Sequence, residues 1–241
     1  EPVSKPTLQS DGSGEAQDAL IQSIFDGADD DEYVFVENGM GSAFDRGSFR
    51  TFDTADELKG ALEEDSSPLR LFDAPDGYEL ISARIWYDCA AGYEYTLTST
   101  ETTDTGLTVK KYAIPEEGRF ISSYNLEYAA PDGKSFLIAG YLTRDMETDA
   151  MEDETVESVA VDGMDDALLF CKEDGKAARL EMRQSLAEPI AYVSPLSLAE
   201  IPPGLEGTPF FEELKNVMIL HACYSISADA MDGDMLLALV G

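Results

Sequence analysis

Phe120-Ile121-Ser122-Ser123-Tyr124-Asn125-Leu126-Glu127-Tyr128, then Ala129-Ala130-Pro131-Asp132-Gly133-Lys134, then Ser135-Phe136-Leu137-Ile138-Ala139-Gly140-Tyr141-Leu142 is the stretch that decides the fold class. Two segments rich in aromatic and aliphatic residues flank a Pro-Asp-Gly-Lys tetrapeptide. Asp-Gly supplies the backbone geometry of a tight reversal, so the flanking segments read as an antiparallel hairpin. The same chemistry recurs downstream, where Ala167 to Lys172, Glu173-Asp174-Gly175-Lys176 and Ala177 to Arg183 make a second hairpin.

Working outward, β-branched and aromatic segments occupy Leu69 to Phe72, Tyr78 to Tyr87, Tyr93 to Ser99 and Thr108 to Ile114, with turn signals between them at Pro75-Asp76-Gly77, Ala91-Gly92 and Asp104-Thr105-Gly106. Tyr33 to Val36 is a further short strand, after which Gly39, Gly41 and Gly47 break the pattern. Val217 to Ser227 is strand-like. Arg144 to Asp166 holds ten acids and one Arg and reads as a loop or edge with one strand, Val156 to Val161. Five prolines make Ser185 to Pro209 irregular connection, and Phe210 to Asn216 reads as a helical turn. Helices are expected at 15–25, from a broad stripe of Ala19, Leu20, Ile21, Ile24 and Phe25, and at 53–64, where Asp53 or Thr54 caps and Glu57 sits near the third position. Asp232 caps a final helix, Asp234 to Val240. Segregated helices and hairpin-linked strands give an α+β fold of mainly antiparallel sheet with a few peripheral helices. Residues 1–14 have linker composition, and 15–241 reads as one α+β domain, with a division into two units near 140–155 as the alternative.

The charge is far from ordinary. There are 49 Asp and Glu against 16 Lys and Arg, for a net charge of −33. Nucleic-acid binding needs clustered cations that replace condensed counterions, so it is excluded as an expectation, and an anionic membrane surface is opposed as a docking site. No apolar run approaches the roughly 20 residues that span a bilayer. The chain opens on Glu1-Pro2 without Met, which suggests a removed leader or anchor upstream of the linker and any membrane contact only through it.

The three cysteines, Cys89, Cys171 and Cys223, match no metal motif, and their odd number leaves at least one thiol unpaired within the chain. Their simplest role is as small buried apolar residues, with one long-range disulfide as the alternative. His221 is the one histidine. It shares a strand side with Cys223, but nothing local supplies the orienting acid that a catalytic imidazole needs. Asp29-Asp30-Asp31-Glu32 and the set Asp229, Asp232 and Asp234 are the densest oxygen-ligand candidates, and neither has the spacing of a calcium-binding EF-hand loop. Gly39-Met40-Gly41-Ser42 lacks the Lys of a phosphate loop. Trp86 and Tyr87 lie in an expected strand, where packing is the default and a glycan platform the alternative. No catalytic, cofactor-binding or metal-ligating residue is therefore assigned, and no cofactor is expected.

Pro75-Asp76-Gly77-Tyr78-Glu79-Leu80 resembles the Pro-x-Gly-Tyr start of a family of uncharacterised extracytoplasmic domains of Gram-positive bacteria. Val159 to Ala167 is similar to that family's Val-x-Val-x-Gly-x-x-Ala strand and turn. Tyr224-Ser225-Ile226-Ser227 followed by Asp234-Met235-Leu236-Leu237-Ala238-Leu239 resembles its final strand and helix. The resemblance covers residues 75–241. It implies a domain that follows a membrane helix, sometimes in proteins similar to anti-sigma factors, and it carries over no catalytic residue. The expected function is a non-catalytic extracytoplasmic binding or sensing module, tethered to the cell envelope, whose partner is an unknown protein or small ligand. The alternatives are a secreted carboxylate-based hydrolase and a surface structural or adhesion domain.

Self-repulsion at this net charge opposes the compact state, and salt screens it. The melting temperature is therefore expected to rise between low and moderate salt. A temperature that stays flat or falls over that range rules out repulsion as a significant term.

Overall fold

The structure, a computed structural model, describes residues 13–38, 43–193 and 216–240. The central hairpin forms as its turn chemistry dictates. Strands β7 (Arg119–Ala129) and β8 (Ser135–Thr143) pair antiparallel, with Leu126 opposite Ile138 and Tyr128 opposite Phe136. At the turn the Gly133 amide donates to the Ala130 carbonyl at 2.9 Å, and Gly133 has a φ of 82°, a conformation that side chains disfavour. The second hairpin, β10 (Asp166–Lys172) and β11 (Ala178–Gln184), repeats the device. There the Gly175 amide donates to the Lys172 carbonyl at 2.9 Å.

These hairpins build most of one large sheet in the order β3-β4-β7-β8-β13-β11-β10-β9. The remaining members are β3 (Ser48–Phe52), β4 (Glu79–Cys89), β9 (Glu154–Ser158) and β13 (Met218–Ala228), with β12 (Ile190–Tyr192) paired to the start of β13. A small sheet has the order β2-β1-β6-β5, from β1 (Glu32–Glu37), β2 (Ala43–Arg46), β5 (Thr96–Thr102) and β6 (Thr108–Ala113). Every strand pairing between named strands is antiparallel. Helices α1 (Ser13–Asp26), α2 (Ala55–Glu64) and α3 (Gly233–Val240) complete the described elements. The fold is α+β and mainly antiparallel sheet. The chain steps from the small sheet to the large one at Gly47, between β2 and β3.

Alternation decides which faces are buried. Tyr124, Leu126 and Tyr128, Phe136 and Ile138, Tyr224 and Ile226, and Leu180 and Met182 project to one face of the large sheet. That face is covered by Leu58, Ala61 and Leu62 of α2 and by Leu236 and Val240 of α3. Thr54 caps α2, its hydroxyl accepting from the Glu57 amide at 3.2 Å while Glu57 reaches back to the Thr54 amide. Asp232 caps α3, accepting from the Met235 amide at 2.9 Å. In the small sheet β1 is buried on both faces, as its continuous Tyr-Val-Phe-Val run requires. Val34 and Val36 pack with Ile21 of α1, and Tyr33 and Phe35 pack with Tyr112 and Tyr95.

Several expectations are corrected. Leu69 to Phe72, read as a strand, has no strand partner; it crosses the core face of the large sheet with Leu69 and Phe72 buried. The backbone groups of Arg70, at its middle, are satisfied by side chains instead. The Tyr124 hydroxyl donates to the Arg70 carbonyl at 2.7 Å, and the Arg70 amide donates to the Tyr224 hydroxyl at 2.9 Å. The two rings stand on neighbouring parts of one sheet face, and Gly140, opposite Tyr124, leaves room for its ring: a Cβ there would lie 2.3 Å from Tyr124 Cε1. The strand expected at Val156 to Val161 is β9, which begins at Glu154 and ends at Ser158, where its pairing with Lys172 to Leu168 of β10 begins and ends. The stretch Ser185 to Pro209, read as irregular, contains β12, and β2 and β3 lie where glycines suggested only a break. Ser13 and Gly14, read as linker, begin α1. Residues 1–12, Gly39 to Ser42, and Phe210 to 215 lie outside the described residues.

Removing either tyrosine hydroxyl leaves a part-buried backbone group without its partner, at a cost of about 1 kcal/mol. Tyr124→Phe and Tyr224→Phe are each expected to lower the urea unfolding midpoint by that equivalent at unchanged m-value. A midpoint unmoved in both variants would show that the crossing segment does not depend on these bonds.

Candidate functional site

Where the two sheets meet, a cleft of about 1020 Å³ opens to solvent. One wall is the α1–β1 loop, Ala28 to Asp31. The floor comes from Ser48 to Thr51 of β3 and Tyr87 of β4, and the far wall from Ala113, Ile114, Glu116 and Arg119. Arg46 fastens the first wall. Its guanidinium donates to the Phe25 carbonyl at 2.8 Å and to the Asp29 carbonyl, so it closes the C-terminal end of α1 while lying 4.9 Å from the Phe49 ring centre. The Phe49 amide donates to the Asp30 carbonyl at 2.7 Å and ties the same loop to β3. The far wall turns at Gly118, whose Cα faces the Tyr93 ring so closely that a Cβ would fall 2.2 Å from Tyr93 Cδ2. Arg119 follows directly.

Tyr87 sits between two arginines. The Arg119 guanidinium lies over its ring at 4.9 Å, and Arg50 lines the same cleft and acts electrostatically on the Tyr87 hydroxyl. Burial pushes the Tyr87 hydroxyl up from its ordinary value and Asp65 adds to this, while Arg119 and Arg50 oppose it. Arg46, Arg144, Arg179 and Arg183 each have a carboxylate partner. Arg50 and Arg119 have none among the described residues and stand exposed. The chemistry available in the cleft is thus two guanidinium forks and a hydroxyl beside Glu116 on one side, and exposed aspartates on the other.

Two carboxylates held by the fold, half-buried Asp88 and buried Glu181, lie outside the cleft lining. Asp88, at the end of β4, accepts from the Tyr95 hydroxyl and from the Cys89 amide at 2.8 Å, which joins the small sheet to the large one. Glu181 lies on the outer face of the large sheet and is 2% exposed. It accepts from Ser225 at 2.7 Å, Tyr141 at 3.1 Å and Arg179 at 3.2 Å, and Arg179 also holds Glu154 at 3.3 Å and the Asp149 carbonyl at 3.0 Å. Burial raises both Asp88 and Glu181 above the usual carboxylate range. Each is enclosed by its own donors, as a structural carboxylate is.

The residues weighed from sequence are placed as follows. His221 lies on β13; its buried Nδ1 has no hydrogen-bond partner among the described residues, and no Ser, Cys or carboxylate side chain bonds it there. Cys89, Cys171 and Cys223 are all free thiols, raised by burial, Cys223 to about 11, so none is poised as a nucleophile. Asp29, Asp30 and Asp31 rim the cleft, whereas Glu32 pairs with Lys111 at 2.7 Å. Asp229 accepts from the Ser135 hydroxyl, and Asp232 is the α3 cap. Among the described residues no group of His, Cys, Asp and Glu is placed to hold a metal ion. Trp86 packs on Phe49 with ring centres 6.4 Å apart. Sequence reasoning missed Arg50 and Arg119. Their one available signal was scarcity, in a chain with three acids to each base.

A carboxyl raised in the fold binds its proton more tightly there than in the unfolded chain. Stability therefore rises as pH falls from neutral into the window between the raised folded value and the ordinary one. In about 0.5 M salt, which shrinks the screening length to a few ångströms, the urea-derived unfolding free energy is expected to increase from pH 7 to about 5, the upper carboxylate range. Glu181→Gln should reduce that slope. Identical slopes for the two proteins would remove Glu181 from the account.

No family model matches this chain, and no curated protein or solved structure matches it. What the cleft does has to be read from its own residues.

Proposed function

We propose that this chain is a non-catalytic binding or sensing module that works outside the cytoplasm and takes a small ligand in the cleft between its two sheets. The observation that carries the reading is the cleft itself, a polar opening of ligand-accommodating size whose donors are not used up by the fold. The raised thiols and the unpartnered imidazole nitrogen support binding over covalent chemistry. Envelope tethering draws its support from the resemblance of residues 75–241 to extracytoplasmic domains and from the linker composition of residues 1–14. Among the described residues no helix is long and apolar enough to cross a membrane.

Ligand binding to the folded state alone stabilises it by about 2.7 kcal/mol at a concentration a hundredfold above Kd. A thermal-shift screen of small carboxylates, amines, sugars and peptides is expected to find stabilising compounds. Ala113→Trp, which fills the cleft from an exposed position, should abolish their effect. Hits that stabilise the Trp variant equally, or product formation from a hit, would overturn the proposal.

A further inference from the structure

We infer that the cleft recognises a carboxylate on a compact ligand whose remaining part is neutral or cationic, and that Arg50, Arg119 and Tyr87 receive it. The inference rests on the cleft being a ligand site and adds the ligand's chemistry.

Stacking leaves these guanidinium groups chemically available. Arg119 lies over Tyr87 and Arg50 lies over Phe52, each at 4.9 Å from the ring centre. A guanidinium stacked on a ring uses its flat face, while its N–H donors point outward in the plane and match the two oxygens of a carboxylate. Arg70 and Arg84 are also stacked, over Phe72 and Phe49, but they do not line this cleft. Arg50 and Arg119 differ in acting on one and the same hydroxyl. Both guanidinium groups favour negative charge beside that hydroxyl, and its O–H can be donated to an anion. Three donor groups therefore line one side of the cleft, with Glu116 as the one acid beside them there, in a protein whose acids outnumber its bases 49 to 16.

The opposite rim sets the rest of the ligand. Asp29, Asp30 and Asp31 are exposed along the other wall. Across the opening they repel a second negative charge and attract a positive one. At longer range the net charge of −33 acts against polyanions, although ions screen it beyond about 8 Å at physiological ionic strength. A singly charged carboxylate with an amide or ammonium end fits both walls. A free amino acid or short peptide has that pattern, and a nucleotide does not.

The test uses the ¹⁵N-labelled full chain titrated with N-acetylglycine, glycinamide, glycylglycine and inorganic phosphate. Amide shifts at Ser48 to Thr51, together with the Tyr87 ring signals, report on the cleft. Glycylglycine and N-acetylglycine are expected to move them, with glycylglycine the tighter. Arg50→Gln and Arg119→Gln should each weaken both about tenfold, the loss of one charge-assisted hydrogen-bonded contact, and leave the melting temperature within a degree of the parent. Phosphate binding more tightly than N-acetylglycine would replace the carboxylate with a phosphoryl group. Glycinamide or a neutral hit that binds in the cleft, is lost in Ala113→Trp and ignores both arginine variants would overturn the carboxylate assignment and leave the binding site standing. If none of the four probes and no hit of the thermal-shift screen moves the cleft signals, the binding reading falls with it.

Discussion

The large sheet depends on how its core face is closed, and the closure depends on two tyrosine hydroxyls. A chain segment that crosses a sheet face without joining the sheet brings buried amides and carbonyls with no ladder to pair them, and such groups are costly when left alone. Tyr124 and Tyr224 resolve this by meeting the carbonyl and the amide of a single residue, Arg70. Their rings supply the apolar floor beneath it, with Phe72 edge-on to Tyr224 at 5.2 Å between ring centres. With that segment fixed, α2 is delivered onto β3 and β4, and Tyr78 arrives against Phe136 at the entry to β4. The placing of β3 and β4 in turn sets the floor of the cleft.

Cations are few, and their positions divide by role. Lys110 and Lys111 tie β6 to both ends of β1 through Glu37 and Glu32. Arg46 fastens the α1–β1 loop, and Arg179 gathers Glu181, Glu154 and the Asp149 carbonyl on the outer face. Each of these compensates buried or half-buried acceptors. Arg50 and Arg119 have no carboxylate partner among the described residues, and they stand on the two strands that flank β4, on either side of Tyr87. In a molecule whose acids mostly face water, that is the place where a ligand with acceptors of its own gains most from leaving solvent.

The parts of the fold that were legible are those in which local chemistry suffices. The Asp-Gly turns, the alternation in β7 and β8, and the Thr54–Glu57 capping box all act within a few residues, and each formed where the residues indicated. Leu69 to Phe72 was misread because its composition suits a strand equally well; what excludes a strand is a pair of hydroxyls, the farther one 154 residues away. β2 and β3 were missed for a related reason. Strands of four and five residues between glycines have no periodicity to detect, and they exist because β1 and β4 offer edges to pair with.

By itself the sequence determined the class of structure: an acidic, hairpin-built α+β chain, with one helix capped at Asp53 or Thr54 and another at Asp232, three cysteines of which at least one had to stay unpaired, and no local catalytic or metal motif. Those properties follow from turn geometry, side-chain period and charge, which operate over short spans. The tertiary structure decided the division into two sheets, the burial of Glu181, the enclosure of Asp88 by its donors, the free state of all three thiols, and the meeting of Arg50, Tyr87 and Arg119 in one cleft. The physical reason is that a site is a set of distances between distant residues. Pairing and packing across the whole chain set those distances, and no span of a few residues encodes them.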